Sequence, residues 1–226
     1  MRIRHKPWAR PELAACDFFI DEPKTLRGRW NGQYAGKQPL HLELGCGKGG
    51  FISELAVSHP EINYLAVDIK SEMLGLAKRK CEASYAEAGR PVDNLLLTAY
   101  DIERIEDILS PEDVVERIYI NFCNPWPKPK QNKKRLIHTR QLEHYKTFLA
   151  KDGEIRFRTD DDGLFRDARR YFEECGFEIV YLTLDLHAET DAPAESIMTE
   201  HERMFSDEGI PIKYLAARLT GAASVD

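Results

Sequence analysis

Two stretches of this chain carry residue types that do chemistry. The first is Glu43-Leu44-Gly45-Cys46-Gly47-Lys48-Gly49-Gly50-Phe51. Glycines in such a turn let a ligand approach main-chain amides and a helix N-terminus, which suits a nucleotide-like cofactor; the alternative is a purely structural tight turn. The spacing Gly45-x-Gly47-x-x-Gly50 also satisfies the dinucleotide fingerprint, so a nicotinamide-dependent oxidoreductase stays open. Glu43 bears on the choice: a carboxylate two residues before the first glycine would lie against a pyrophosphate, but suits the cationic, zwitterionic S-adenosylmethionine. Asp68 ends the next apolar run, 25 residues after Glu43, where a carboxylate accepts both ribose hydroxyls of either cofactor. Asp101, after the third run, is placed to accept from the exocyclic amine of an adenine or, equally, to cap a helix.

The second stretch is Ile120-Asn121-Phe122-Cys123-Asn124-Pro125-Trp126-Pro127-Lys128-Pro129-Lys130, with Lys133, Lys134 and Arg135 close behind. It joins a polar residue, a proline-locked aromatic and a basic cluster in one loop. Trp126 is expected to stack on an unpaired base while the lysines and Arg135 meet backbone phosphates; the alternative is a tryptophan plugging the floor of a cleft.

These residues sit at the ends of regular elements. Strand-like runs occur at Leu40 to Leu44, Tyr64 to Val67, Leu95 to Thr98, Ile118 to Phe122, Glu154 to Arg158 and Glu178 to Leu184. Helical spacing of apolar residues marks Phe51 to Ser58, Glu72 to Ala88, Thr139 to Leu149 and Phe165 to Cys175. The alternation predicts an α/β fold, a mostly parallel sheet with helices on both faces, with ligand sites at the carboxyl ends of the strands.

Composition narrows the classes. With 226 residues, 42% hydrophobic and 31% charged, the chain is expected to form a single domain over 1–226, with a short basic amino-terminal extension over about 1–38. The formal net charge of −6 excludes an overall cationic field, so affinity for nucleic acid has to come from local patches. Arg2, Arg4, Lys6 and Arg10 form one, and Lys128 to Arg140 another; an acidic stretch over residues 185–208 offsets them. No long uncharged apolar run or signal-peptide start occurs, so neither a membrane span nor secretion is expected, and a cytoplasmic location is. Cys16, Cys46, Cys81, Cys123 and Cys175 lack Cys-x-x-Cys spacing, and the seven histidines show no ligand spacing with them; no metal is expected.

Five segments together resemble the bacterial tRNA (guanine-N7-)-methyltransferases. They are Met1 to Trp8, Glu43 to Gly49, Asn124-Pro125-Trp126-Pro127-Lys128, Phe157-Arg158-Thr159-Asp160 and Thr199-Glu200-His201-Glu202. The resemblance implies a Rossmann-like class I S-adenosylmethionine-dependent methyltransferase fold, with S-adenosylmethionine contacted by Glu43, Gly45, Gly47, Asp68, Asp101 and Asn124. It places Lys128, Asp160, Thr199 and Glu202 against the tRNA substrate, and the methyl acceptor at a guanosine of the variable loop, position 46 in conventional tRNA numbering. The family usually has aspartate where this chain has Asn124, and the loop with asparagine is also similar to the Asn-Pro-Pro-aromatic motif of methyltransferases acting on exocyclic amines.

Guanine N7 has an in-plane lone pair and no proton, so methyl transfer to it needs positioning and charge stabilisation but no general base. Asp160 is therefore expected to stabilise the developing guanine charge, and Asn124 to orient the base; the alternative for Asp160-Asp161-Asp162 is helix capping. A non-catalytic RNA-binding module would leave Glu43, Asp68 and the glycine turn without a task. No obligate protein partner is expected, only a monomer or homodimer, and residues 1–10 are expected to be mobile without RNA.

Overall fold

The structure is a computed structural model that describes residues 5–193 and 197–220. The chain divides into two compact units, Met1–Asp113 and Val114–Asp226.

In the first unit, apolar runs form parallel strands; the three longer ones are buried along most of their length on both faces, and the two-residue first strand is half-buried. These are β1 (Phe19–Ile20), β2 (Leu40–Leu44), β3 (Asn63–Asp68) and β4 (Leu95–Ala99), in the order β1-β4-β3-β2. Leu42, Leu44, Leu65, Val67 and Leu97 have no measurable exposure, each worth roughly 1.5–3 kcal/mol on burial. The helices are α1 (Ala9–Ala14), α2 (Gly50–Ser58) and α3 (Ser71–Glu87). Gly75 lies inside α3 because a Cβ there would stand 2.8 Å from that of Ala9 and 2.9 Å from the ring of Trp8.

Residues 9–34, expected within a short basic extension, are folded into this unit. Fully buried Trp30 donates from its indole nitrogen to the Ile108 carbonyl at 2.7 Å, and the Asp113 carboxylate accepts from the Gly28, Trp30 and Ser110 amides. Residues 1–4 of the expected mobile end lie outside the described residues. Beyond them, the ring of Trp8 carries the Arg79 guanidinium at 3.7 Å and the Lys6 ammonium at 5.8 Å.

The second unit holds β5 (Val115–Asn121), β6 (Leu149–Thr159), β7 (Phe177–Thr183) and β8 (Lys213–Leu219), ordered β5-β6-β8-β7. β5 and β6 are parallel; β8 runs antiparallel to both its neighbours. Its helices are α4 (Thr139–Lys146), α5 (Asp162–Glu174) and α6 (Glu200–Asp207). Alternation along β6 sends Phe157 against Phe165 of α5 and Arg158, on the opposite face, to Glu202 of α6. Thus the helix expected from Thr139 to Leu149 stops at Lys146, since Leu149 is already paired with Val115. β6 is longer than the expected Glu154 to Arg158 because it absorbs an irregularity between Leu149 and Glu154, with Asp152 at φ +63°.

Candidate active site

Strand register brings the candidate cofactor residues of the first unit together. Leu44 pairs with Val67 and Asp68 with Ala99, so the residues that follow β2, β3 and β4 emerge side by side at their carboxyl ends. The amides of Gly45 and Cys46 both donate to the Val67 carbonyl, and the amide of Gly47 donates to Asp68 Oδ2 at 3.0 Å. Asp68 Oδ1 accepts from the Lys70 amide at 2.9 Å. Each carboxylate oxygen of Asp68 so retains acceptor capacity, and burial pushes its carboxyl above the ordinary range against the pull of those amides.

The glycines of the turn differ in what they are for. Gly49, at φ +73°, begins α2 where a Cβ would lie 2.7 Å from that of Ala77, so it seats the turn on α3. Gly47, at φ +54°, has nothing within 4 Å of a Cβ, so its bare side faces open space where a ligand fits. Glu43 is buried in β2 beside Ala66. Asp101 is exposed and accepts from the Glu103 amide at 3.0 Å as the cap of a 3₁₀ turn, the capping use anticipated for it, with its second oxygen left over. Ile69, immediately after Asp68, is 59% exposed, an apolar surface at the strand end that could receive a flat ring and that a lone isoleucine after a strand did not signal.

In the second unit the Asn124 loop and the Asp160 turn leave neighbouring strands, since Asn121 pairs with Arg158 and the Phe122 amide donates to the Arg158 carbonyl at 2.9 Å. Phe122 and Trp126 both adopt left-handed backbone, φ +51° and +41°, at a cost of roughly 1–2 kcal/mol each. Rings hold the first: Phe122 stacks on exposed His201 at 5.8 Å and meets Phe205 at 5.9 Å. An Asx turn holds the second, with Asn124 Oδ1 accepting from the Trp126 amide at 3.0 Å. Trp126 is half-buried, with the Lys134 ammonium 5.2 Å from its ring centroid; Lys128 is exposed.

Arg135 is a correction. Read as a phosphate contact from its place in a lysine run, it is 5% exposed and its guanidinium faces inward. Nε donates to the Pro125 carbonyl at 2.7 Å, Nη2 to that of Trp126 at 3.4 Å, and Nη1 bonds Asp167 of α5 at 2.6 Å. It holds the loop that the lysines leave free.

The three acids after β6 have separate tasks. Asp161 caps α5, accepting from the Leu164 amide, and Asp162 pairs with Lys213 at 2.8 Å. Neither use involves the carboxylate of half-buried Asp160, so capping, the alternative for the triplet, falls to its neighbour. Burial pushes the Cys123 thiol up to about 12, so the cysteine beside Asn124 stays protonated and offers no thiolate nucleophile.

Thr199 and Glu202 are buried. They form a capping box at the start of α6: the Thr199 hydroxyl accepts from the Glu202 amide, and Glu202 Oε2 from the Thr199 amide. The same carboxylate meets Arg158 Nη1 at 2.9 Å, with both side chains under 3% exposed, and its other oxygen lies 3.3 Å from His187 Nε2. The spacing Thr-x-x-Glu is the signal that could have revealed this cap in the sequence.

An α/β fold with a glycine turn and acids at strand ends in the first unit, and an aromatic, basic loop at a strand end in the second, has the features of a Rossmann-like methyltransferase. Solved structures agree on the fold: a 16S rRNA methyltransferase, KamB, gives a TM-score of 0.58 over 97% of both chains at 13% identity. An antibiotic-related methyltransferase gives 0.57 over 96% of both at 15%. The family model described as "Putative methyltransferase" matches residues 37–215. The tRNA (guanine-N(7)-)-methyltransferase of Ruminiclostridium cellulolyticum is 58% identical over 96% of this chain and 92% of its own. That of Clostridium beijerinckii is 57% identical over 96% and 98%. This chain belongs to that family.

The residues fit S-adenosylmethionine, the cofactor of these enzymes: Gly47 leaves room beside the main chain, Asp68 keeps acceptors for ribose hydroxyls, and the carboxylates suit a cation. No helix among the described residues is long and apolar enough to cross a membrane.

Proposed function

We propose that this protein transfers a methyl group from S-adenosylmethionine to N7 of a guanosine in the tRNA variable loop, at position 46. The observation that carries the reading is the Asp160 carboxylate, left by its two acidic neighbours at the end of β6, one strand from the Asn124 loop. Relatives that share more than half of the sequence bear the name of this activity.

The cofactor supplies an electrophilic sulfonium methyl group when bound. Glu43, Gly45, Gly47, Asp68 and Asp101 of the first unit hold it: Asp68 takes the ribose, Asp101 the adenine amine and Ile69 the adenine face. In the second unit Asn124 orients the guanine, whose N7 lone pair attacks without a base. Asp160 accepts from guanine N1–H and its amino group and opposes the positive charge that grows on the ring, a stabilisation of about 3 kcal/mol for such a placed charge. Lys128, with Lys130, Lys133 and Lys134, meets tRNA phosphates. Thr199 and Glu202, buried themselves, serve by fixing the start of α6, which presents His201 and nearby main chain to the RNA.

The enzyme is read as a cytoplasmic protein acting as monomer or homodimer without another protein. The test is label transfer from radiolabelled S-adenosylmethionine to two tRNA transcripts, one with guanosine and one with adenosine at position 46, followed by cleavage specific for N7-methylguanosine. Label and cleavage that require the guanosine support the reading; label insensitive to the substitution moves the site or favours an exocyclic amine. D160A lowers kcat about a hundredfold while remaining folded. N124D stays within about threefold of wild type, because an aspartate oxygen accepts from the Trp126 amide as the asparagine does.

A further inference from the structure

Lys213 opens β8, a strand absent from the sequence-based expectation. It is 5% exposed, although lysine is among the residues least often buried. Register pairs it with Thr159, the last residue of β6 before the three acids. Its ammonium donates to the main-chain carbonyl of Asp160 at 2.8 Å and lies 2.8 Å from Asp162 Oδ1. Asp162 is 88% exposed, so the pair joins a buried cation to a carboxylate that would otherwise turn to water.

The triplet Asp160-Asp161-Asp162 carries three like charges on consecutive residues, and nothing in residue type says which should face a substrate. The fold distinguishes them. The Thr159 hydroxyl accepts from the Asp161 amide at 3.1 Å and Asp161 caps α5, which fixes the middle acid. Lys213 fixes the other two at once: it draws the Asp162 side chain to itself and anchors the Asp160 peptide by its carbonyl, so the Asp160 side chain has to leave the turn elsewhere.

We infer that Lys213 is a positioning residue for methyl transfer: by tying the Asp160 carbonyl and the Asp162 carboxylate, it selects Asp160 as the acid presented to the guanine. The inference rests on the function proposed above and deepens it. Lys213 touches neither base nor cofactor; it acts through Asp160. A side chain of similar length without the ammonium leaves β8 in place but frees the turn, and the carboxylate then meets the base in only a fraction of encounters. The signature is a lowered kcat with little change in the apparent affinity for tRNA, which rests on the lysines of the Asn124 loop.

The test compares wild type, K213M, K213R and D162N for kcat and for KM of tRNA and of S-adenosylmethionine, with thermal unfolding of each. K213M is expected to lose about tenfold in kcat with both KM values within about twofold, and K213R, which keeps a donor, to recover most of the loss. D162N, a change at an exposed side chain, is expected to lose about threefold while unfolding at the wild-type temperature. Wild-type kcat in K213M overturns the inference, as does a loss confined to KM or one that K213R does not recover. Should K213M fail to fold, D162N decides, and an unchanged kcat there overturns it. A wild-type protein that methylates no tRNA overturns the functional reading, and this inference with it; activity in wild type that ignores Lys213 overturns the inference alone.

Discussion

Arg135 Nε donates to the Pro125 carbonyl at 2.7 Å, so a guanidinium within the basic stretch serves the loop that opens it. The left-handed Trp126 is held by this cation and by Asn124, and Asp167 of α5 holds the cation in turn. Arg135→Ala is expected to cost about 2 kcal/mol in urea unfolding, from part-buried carbonyls and the Asp167 carboxylate left without their donor. It should also lower methyl transfer at least tenfold. Arg135→Lys restores charge but not the fork, and is expected to regain stability better than activity. Equal activity in wild type and Arg135→Ala would show that the loop keeps its shape unaided.

The two glycines of the cofactor turn should respond differently to the same methyl group. Gly49→Ala drives a Cβ to 2.7 Å from that of Ala77 in a left-handed backbone, and is expected to lose about 3 kcal/mol or to fail to fold. Gly47→Ala meets only open space, so it should fold with a loss of roughly 1 kcal/mol while binding S-adenosylmethionine about tenfold more weakly. Calorimetric titration of the folded variant measures the second effect; unaltered affinity would remove Gly47 from the binding surface.

The Arg158–Glu202 pair has both charges out of water, so removing one leaves the other poorly compensated. Glu202→Gln is expected to lose about 3 kcal/mol of stability, and a double-mutant cycle with Arg158→Met to give a coupling of at least about 1 kcal/mol. Independent effects in the cycle would show that the two residues contribute separately.

Asp107 reports acid sensitivity. Its carboxyl is lowered to about 2 by the Tyr100 hydroxyl, which donates to it at 2.6 Å, and by Lys24 at 3.0 Å. A carboxyl with a lowered native pKa stabilises the fold above its unfolded value of 3.8, and that contribution fades as pH falls through about 2. The difference in unfolding temperature between wild type and Asp107→Asn should therefore be constant above about pH 5 and shrink between pH 4 and 2. A difference independent of pH across that window would count against the pairing.

The strands that carry the site were readable because each is a short apolar run ending in a turn signal: Leu40 to Leu44 was placed to the residue, and Tyr64 to Val67 and Leu95 to Thr98 to within one. β8 escaped because Tyr214-Leu215-Ala216-Ala217 lacks β-branched residues and their alternation with polar ones, and its identity as a strand depends on partners distant in sequence. The glycine turn, Asp68 and the Asn124 loop were visible as candidates because their chemistry is local. Arg135 was misread and Lys213 unseen for one reason: whether a cation faces water or a carbonyl is decided by packing, which a charge run does not encode.

The prolines of the Asn124 loop also bear on its lifetime. An asparagine is commonly converted to aspartate when the main-chain nitrogen of the following residue attacks its amide carbon and expels ammonia, and water then opens the cyclic imide. Pro125 has no N–H to lose and so cannot make that attack. The residue that stiffens the loop thereby also closes the main route by which its neighbour would lose its amide as the molecule ages.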